Sequence, residues 1–141
     1  MTTQKITSKE AYTWIVEIGP SKSLEKIVAQ SKYYSYMYAK DVLKGRFKLG
    51  ENQIAKSSVY VYLYARHVIK GRWPEGEPKL MKDPYWALWY AIDVIKNRWP
   101  EAEPAIQKYD GSGHFTDKNP DGTRMTWWER YCNKLSVETP E

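Results

Sequence analysis

The sequence predicts an all-α fold: a short α-solenoid of 26-residue helix–turn–short-helix repeats, with a degenerate N-terminal copy and a C-terminal capping helix. Three observations predict it: a gapless internal repeat, helix-cap residues that recur in register, and apolar residues at helical spacing. The chain has 141 residues, of which 42% are hydrophobic and 28% charged. A chain of this size and composition can bury one core, so we expect residues 1–141 to form a single domain.

The repeat consists of three consecutive copies, residues 31–56, 57–82 and 83–108. Residues 5–30 resemble a worn first copy, in which Tyr12, Glu25 and Val28 fall in matching columns. One long and one short helix cannot bury both apolar faces alone, so the copies are expected to stack on their neighbours. Seven columns are identical in the three copies and are represented in the first by Tyr38, Ala39, Val42, Lys44, Arg46, Glu51 and Lys56.

Each copy is predicted to begin with a long helix, near 32–44, 58–70 and 84–96. Ser31, Ser57 and Asp83 share the N-cap column, and Pro84 suits the first helical position. The segment from Val59 to Tyr64 alternates like a β-strand when taken alone. The third copy favours a helix, and homologous copies share one fold.

The long helices are predicted to end at residues that accept a left-handed conformation, and a short helix follows. Glycine and asparagine supply that conformation at Gly45, Gly71 and Asn97, and Pro78 and Pro104 are suited to open the short helix. Trp73 and Trp99 are interpreted as wedges between helices. The predicted core comprises Tyr38, Ala39, Val42, Leu43, Ile54 and their equivalents, such as Tyr90, Ala91, Val94, Ile95 and Ile106.

The C-terminal segment departs from the 26-residue period. Residues 109–125 are rich in Gly, Asp and Asn and are predicted to form a loop. Thr126 and Glu129 fit a capping box at the start of a last helix, 126–135, and residues 136–141 are expected to fray. Trp128, Tyr131 and Leu135 of that helix would cover the open end of repeat three.

The segments Tyr64–Pro78 and Tyr90–Pro104 read close to YAxxVIKGRWPEAEP. This pattern resembles uncharacterised tailed-bacteriophage proteins that carry tandem repeats of this type. The resemblance implies a phage accessory protein in the host cytoplasm, and it carries over no catalytic residue. Cys132 has no cysteine to pair with in this sequence, which agrees with a reducing compartment.

Charge is concentrated in two of the three copies. Repeat one has six basic and two acidic residues and repeat two has five and two, whereas repeat three has three and four. Repeats one and two therefore form a Tyr-rich basic block. Stacked-helix arrays commonly bind another macromolecule through a continuous face, which favours a protein partner, and the bacteriophage resemblance implies a host or defence protein. Single-stranded nucleic acid is the alternative, because its phosphates attract Lys and Arg while its bases stack on rings. The predicted solvent-facing binding surface comprises Tyr36, Lys40, Lys44, Tyr62, Arg66 and Lys70.

The repeated arginines Arg46, Arg72 and Arg98 allow two interpretations. A guanidinium can present its fork to an acidic partner, or it can pair with the invariant glutamate of its own copy, Glu51 in repeat one. The second interpretation is favoured because both residues recur together.

No catalytic motif is recognised, so we predict a protein that is not an enzyme, uses no cofactor or metal and does not bind a membrane. A set of His114, Asp117, Asp121 and Arg124 is conceivable as a small site. Residues 117–122 match the first half of a calcium loop, but the required twelfth-position glutamate is replaced by Trp128. An Asp/Asn-Gly turn is therefore favoured there.

Overall fold

A computed structural model describes residues 5–109 and 118–135 of the chain. Every regular element in that part is helical, so the all-α prediction is confirmed. The chain divides into two compact units, residues 1–79 and 80–141. Organisation as a single domain stays a prediction, and so does the behaviour expected of residues 110–117 and 136–141, which lie outside the described residues.

The first unit contains the N-terminal copy, repeat one and most of repeat two. Helix α1 (Ser8–Ile18) packs on α2 (Lys22–Val28), and α3 (Lys32–Met37) contacts α1, α4 (Glu51–Ile54) and α5 (Ser58–Tyr64). Helix α6 (Glu77–Leu80) begins at the end of this unit. The order of one long and one short helix, predicted from the repeat, is thus observed.

The second unit contains repeat three and the last helix. Helix α7 (Pro84–Tyr90) contacts α8 (Glu103–Lys108), and α8 contacts α9 (Trp127–Leu135). The predicted capping box is present at α9, because Thr126 N–H donates to Glu129 Oε2 at 2.8 Å and Glu129 N–H donates to Thr126 Oγ1 at 3.1 Å.

The long helices α3, α5 and α7 each continue directly into a π-helical turn. These turns span Tyr38–Leu43, Ala65–Ile69 and Ala91–Ile95. The continuous helices therefore run over 32–43, 58–69 and 84–95, within one residue of each predicted end. The strand-like alternation from Val59 to Tyr64 is part of a helix, which agrees with the evidence of the third copy.

The predicted C-terminal caps are wrong by one residue. The left-handed residues are Lys44 (φ 52°), Lys70 (φ 60°) and Lys96 (φ 58°), rather than Gly45, Gly71 and Asn97. In repeat one the N–H groups of Lys44 and Gly45 both donate to the carbonyl of Ala39. Because this π turn closes over five residues instead of four, the reversal of the chain falls on the lysine.

Most of the predicted core is confirmed. The apolar residues of the short-helix column, Val28, Ile54, Leu80 and Ile106, are fully buried. So are the Tyr and Ala columns of the long helices, which comprise Tyr38, Tyr64, Tyr90, Ala39, Ala65 and Ala91.

Leu43 is an error in the predicted core, because it is 41% exposed, and Val42, Val94 and Ile95 are only half-buried. All four lie in π turns. A π turn advances by a smaller angle per residue than an α turn. Positions chosen by α-helical spacing therefore rotate away from the core.

The tryptophan column packs against the tyrosine of the same repeat. Ring centroids are 4.8 Å apart for Tyr38 and Phe47 and 4.9 Å apart for Tyr64 and Trp73. In the second unit Tyr90 and Trp99 are 5.1 Å apart. Trp73 and Trp99 are each 1% exposed, as expected of residues wedged into a core.

The repeated arginines pair with the glutamate five residues later, as the favoured interpretation predicts. Arg46 Nε and Nη2 donate to the Glu51 carboxylate at 2.7 and 3.1 Å. The equivalent contacts are 2.8 and 2.9 Å from Arg72 to Glu77 and 2.8 Å for both from Arg98 to Glu103. A fork-to-fork pair of this kind fixes the corner after each long helix.

A tyrosine hydroxyl completes this corner in repeat one. Tyr64 OH donates to Glu51 Oε1 at 2.9 Å and accepts from the Phe47 N–H at 2.9 Å. The tyrosine of one repeat thus satisfies a buried backbone donor of the preceding repeat. Tyr38 makes only the first half of this contact, donating to Glu25 at 2.8 Å.

Helix α9 reproduces the same corner in the second unit. Tyr131 OH donates to Glu103 Oε1 at 2.8 Å and accepts from Trp99 N–H at 2.7 Å. Cys132 is fully buried, like the alanine that follows the tyrosine in each repeat. The capping helix therefore copies the beginning of a further repeat. Trp127 is the buried tryptophan, 2% exposed, and Trp128 is only half-buried.

Candidate anion-binding cleft

The last turns of the long helices of repeats one and two lie against each other in the first unit. They enclose a cleft of about 310 Å³. We call it the lysine cleft, and its lining residues are Ala39, Lys40, Lys44, His67, Val68 and Lys70. Three of the six predicted binding residues, Lys40, Lys44 and Lys70, are thus brought to one place.

The repeat itself explains why these lysines meet. Lys40 lies in the π turn of repeat one, Lys44 is the left-handed residue that ends it, and both line the cleft. Lys70 is the counterpart of Lys44 one period later, so neighbouring helix ends bring the two together. A left-handed conformation costs a residue other than glycine about 1–2 kcal/mol. Lys44 and Lys70 both adopt it. The surrounding helix end must offset that cost.

The charge in the cleft is mostly uncompensated. Lys40 Nζ lies 3.1 Å from Asp41 Oδ1, and the hydrogen bond and charge of Asp41 raise the pKa of Lys40. Both side chains are about 40% exposed, so this ion pair contributes little to stability. Within residues 5–109 and 118–135, no carboxylate lies within ion-pair distance of Lys44 or Lys70.

His67 is a member of the cleft that the predicted binding surface did not include. Partial burial, followed by the charges of Arg66 and Lys40, lowers the pKa of His67. The charges of Arg66 and Lys40 thus reach the imidazole and add to the effect of burial. One signal in the sequence points to it: the column that holds Asp41 and Asp93 in the other copies holds His67 here, three residues before Lys70.

The two tyrosines of the predicted surface do not face solvent, which corrects the prediction. Tyr36 is 7% exposed and Tyr62 is 6% exposed. Helix α3 contacts α1, α4 and α5, so its buried face is wider than the single stripe assumed for a surface helix. The ring of Tyr36 lies 5.9 Å from that of Tyr60, between centroids.

Arg66 is exposed, but its guanidinium is held over the buried tyrosine of its own helix. Nη1 donates to Tyr62 OH at 2.7 Å, and Cζ lies 5.8 Å from the ring centroid. Arg66 thus keeps its charge at the surface next to the lysine cleft.

Repeat three lacks the basic residues that surround the cleft. Ile92 and Asp93 stand where repeat two has Arg66 and His67. Lys96 nevertheless keeps the left-handed conformation of the column. The left-handed lysine therefore belongs to the helix end as such, and the accumulation of positive charge is particular to repeats one and two.

The acidic loop before α9 makes contacts within itself. Asp121 Oδ1 accepts from Thr123 N–H at 2.9 Å, and Glu129 Oε2 accepts from Asn119 Nδ2 at 3.0 Å. Among the described residues, no group of three potential His, Cys, Asp or Glu ligands could hold a metal ion. His114 and Asp117 of the conceivable small site lie outside the described residues.

No protein-family model, curated protein or solved structure matches the chain. In the part of the chain that the structure describes, no helix combines the length and apolar character needed to cross a bilayer.

Proposed function

We propose that this protein is a non-enzymatic repeat protein, with its copies stacked as a solenoid, that binds an acidic surface of a partner protein. The observation that supports the proposal is the lysine cleft, in which Lys40, Lys44 and Lys70 meet beside the exposed charge of Arg66. The bacteriophage resemblance suggests a host or defence protein in the host cytoplasm, which the protein would inhibit or redirect.

The burial of the tyrosines favours a protein partner over single-stranded nucleic acid. A nucleic-acid site of this kind needs ring faces on which bases stack, next to the cations that hold the phosphates. Tyr36 and Tyr62 are the rings of the predicted binding surface, and both are buried, so bases cannot stack on them; Tyr33, which is 45% exposed, is not among the six residues of that surface. The members of the predicted surface that stay accessible are its basic residues, whose natural complement is a carboxylate-rich protein surface.

The test is a comparison of two anionic probes. A labelled polyglutamate peptide and a labelled single-stranded oligonucleotide with the same number of charges are titrated with the protein at about 50 and 200 mM salt, and binding is followed by fluorescence anisotropy. We expect the peptide to bind and the oligonucleotide to bind weakly at the higher salt. The variant with Lys40, Lys44, Arg66 and Lys70 changed to Gln should lose peptide binding.

The matched control is Lys96→Gln, which changes the same column in the less basic repeat and should bind the peptide like the wild type. Circular dichroism checks that each variant is folded. Tight oligonucleotide binding that weakens by about a hundredfold or more between the two salt concentrations, with no peptide binding, would contradict the proposal in favour of nucleic acid.

A further inference from the structure

We infer that the lysine cleft binds the dianion of a phosphate monoester, a ligand that differs in kind from the broad acidic surface of a partner protein. Three lysines, Lys40, Lys44 and Lys70, line one cleft of about 310 Å³. Its other lining residues include the small apolar Ala39 and Val68. Ammonium groups bind phosphate as compact charges with several donors each.

The clustering of like charge is what points to a dianion. Lys40 and Lys44 both line the cleft and their like charges repel, and Lys70 adds a third positive charge to the same cleft. Asp41 lies beside Lys40 and offsets one of these charges. Two of the three lysine charges are left, and Arg66 adds a further one beside the cleft, so the dianion of a phosphate monoester suits the cleft better than a single carboxylate.

The shape of the group fits as well. A phosphate monoester offers three charged oxygens in different directions, so it can accept from ammonium groups that approach from two neighbouring helix ends. A phosphodiester of a nucleic acid carries one charge. The cleft should therefore distinguish the two classes of phosphate.

The other groups that face His67 make it a spectroscopic reporter of binding. Lys40, Lys44 and Lys70 line the same cleft as His67, the charge of Arg66 acts on it, and the carboxylate of Asp41 lies beside Lys40. In the free protein, burial first of all, and then the charges of Arg66 and Lys40, hold the pKa of His67 below its ordinary value of 6.5. An anion in the cleft opposes these cations, so its binding should raise that pKa.

The experiment is a nuclear magnetic resonance titration of the full chain, with the His67 imidazole assigned by its loss in His67→Gln. Inorganic phosphate and a blocked phosphoserine distinguish a free phosphate from a phosphorylated side chain, and sodium chloride at matched ionic strength is the reference. We expect a saturable shift with phosphate or phosphoserine, and an increase in the His67 titration midpoint. Lys44→Gln and Lys70→Gln should each weaken binding about tenfold, the effect of losing one hydrogen bond to a charged group.

Lys96→Gln is the matched control and should leave the dissociation constant unchanged. Three outcomes would overturn the inference: the same shift with sodium chloride, an equal loss of affinity in Lys96→Gln, or a dinucleotide phosphodiester that binds as tightly as phosphoserine. If the wild type binds polyglutamate but neither phosphate nor phosphoserine, this inference is refuted and the proposed function is not. If the wild type binds phosphate or phosphoserine but not polyglutamate, the proposed function is refuted.

Discussion

At the scale of single residues, the corner tyrosines differ in the hydrogen bonds that their hydroxyl groups make. Tyr131 both donates to a carboxylate and accepts from the Trp99 N–H, whereas Tyr38 only donates, to Glu25. Burial, opposed by the Trp99 N–H and reinforced by Glu103, raises the pKa of Tyr131 to about 12. Its proton is thus firmly held at neutral pH.

Removing the hydroxyl should therefore cost more at Tyr131 than at Tyr38. Tyr131→Phe leaves the buried Trp99 N–H without an acceptor and should lower the free energy of unfolding by about 1–3 kcal/mol. Tyr38→Phe leaves only the carboxylate of Glu25, which is half-buried and open to water, and should cost about 1 kcal/mol or less. Urea unfolding of both variants measures the difference, and equal midpoints would contradict the role assigned to the backbone donor.

The corner glutamate makes stability depend on pH. The Arg98 hydrogen bond, opposed by burial and aided by Tyr131, lowers the pKa of Glu103 from its ordinary value of 4.5. A lowered folded-state pKa contributes stability that is present above pH 4.5 and is lost as the pH falls through the folded value. Glu103→Gln should be less stable than the wild type at pH 7, by about 1 kcal/mol. The two unfolding midpoints should converge as the pH is lowered below 4, and a constant difference down to pH 2 would refute this assignment.

Two glycines in the corner are required by close packing rather than by backbone conformation. A Cβ atom at Gly76 would lie 2.6 Å from Trp73 Cε3 and 2.7 Å from Val61 Cγ1. Gly50 is as crowded, with 2.5 Å to Ser35 Cβ, whereas the third copy has a buried alanine, Ala102, in this column.

Gly76→Ala should consequently overpack the core of the first unit. Because Trp73 is fully buried and cannot move aside, the expected loss is about 1–3 kcal/mol. The reverse change in the third copy, Ala102→Gly, removes one methyl group and tests the effect of a smaller residue in the same column. Thermal unfolding measures both, and an unchanged midpoint for Gly76→Ala would show that the column is not tightly packed.

At the scale of the elements, the alanine at the start of each π turn, first in repeats two and three and second in repeat one, sets how closely the helices approach. Ala39, Ala65 and Ala91 are fully buried, and Cys132 takes the equivalent place in α9. A small side chain is the common property of the column. The carbonyls of these alanines also accept the N–H groups that close the π turns of repeats one, two and three.

Ala65→Leu should therefore destabilise the fold, by about 1–3 kcal/mol, through overpacking. Cys132→Ala is the matched control, because it places in α9 the residue that the other copies use, and it should change stability little. The midpoints of urea unfolding check both expectations. A wild-type midpoint for Ala65→Leu would mean that the column tolerates a large side chain, and the core assignment would be wrong.

Repetition in the sequence is what made the helices predictable. The N-cap residues Ser31, Ser57 and Asp83 recur in register, and one ambiguous copy is resolved by another. The π turns were not predictable, because a helix that lengthens its last turn by one residue keeps the same apolar pattern up to Ala39. The left-handed lysines were missed for the same reason, since glycine stands directly after two of them.

Tyr131 of α9 was predicted to cover repeat three, but its equivalence to the tyrosines of the repeats was not, because an insertion hides its register. Tyr131 lies 41 residues after Tyr90, which is one period of 26 plus 15 inserted residues. The pair Tyr131 and Cys132 is a weak copy of Tyr-Ala and became recognisable only through its contacts with Glu103 and Trp99. The candidate site was half predicted: the lysines follow from charge, whereas the burial of Tyr36 and Tyr62 depends on how many helices surround α3.

At the scale of the whole molecule, positive charge is concentrated in the first half of the chain. Repeats one and two carry the excess of basic residues, and the 26-residue period places lysines of both in the lysine cleft. The interiors of the repeats are alike, so the surface of this region distinguishes repeats one and two from repeat three. Function is therefore expected to depend on surface charge that can be changed without unfolding the protein.

The most direct test of the proposed function is affinity capture from a nuclease-treated bacterial lysate, with the wild type, the Lys40, Lys44, Arg66 and Lys70 to Gln variant, and Lys96→Gln compared side by side. Truncation of Tyr36 or Tyr62 is unsuitable, because both rings are buried. We predict that a protein partner is retained after nuclease treatment by the wild type and by Lys96→Gln and is lost by the fourfold variant. Capture that disappears on nuclease treatment, or that survives in the fourfold variant, would contradict binding of an acidic protein partner through the basic surface.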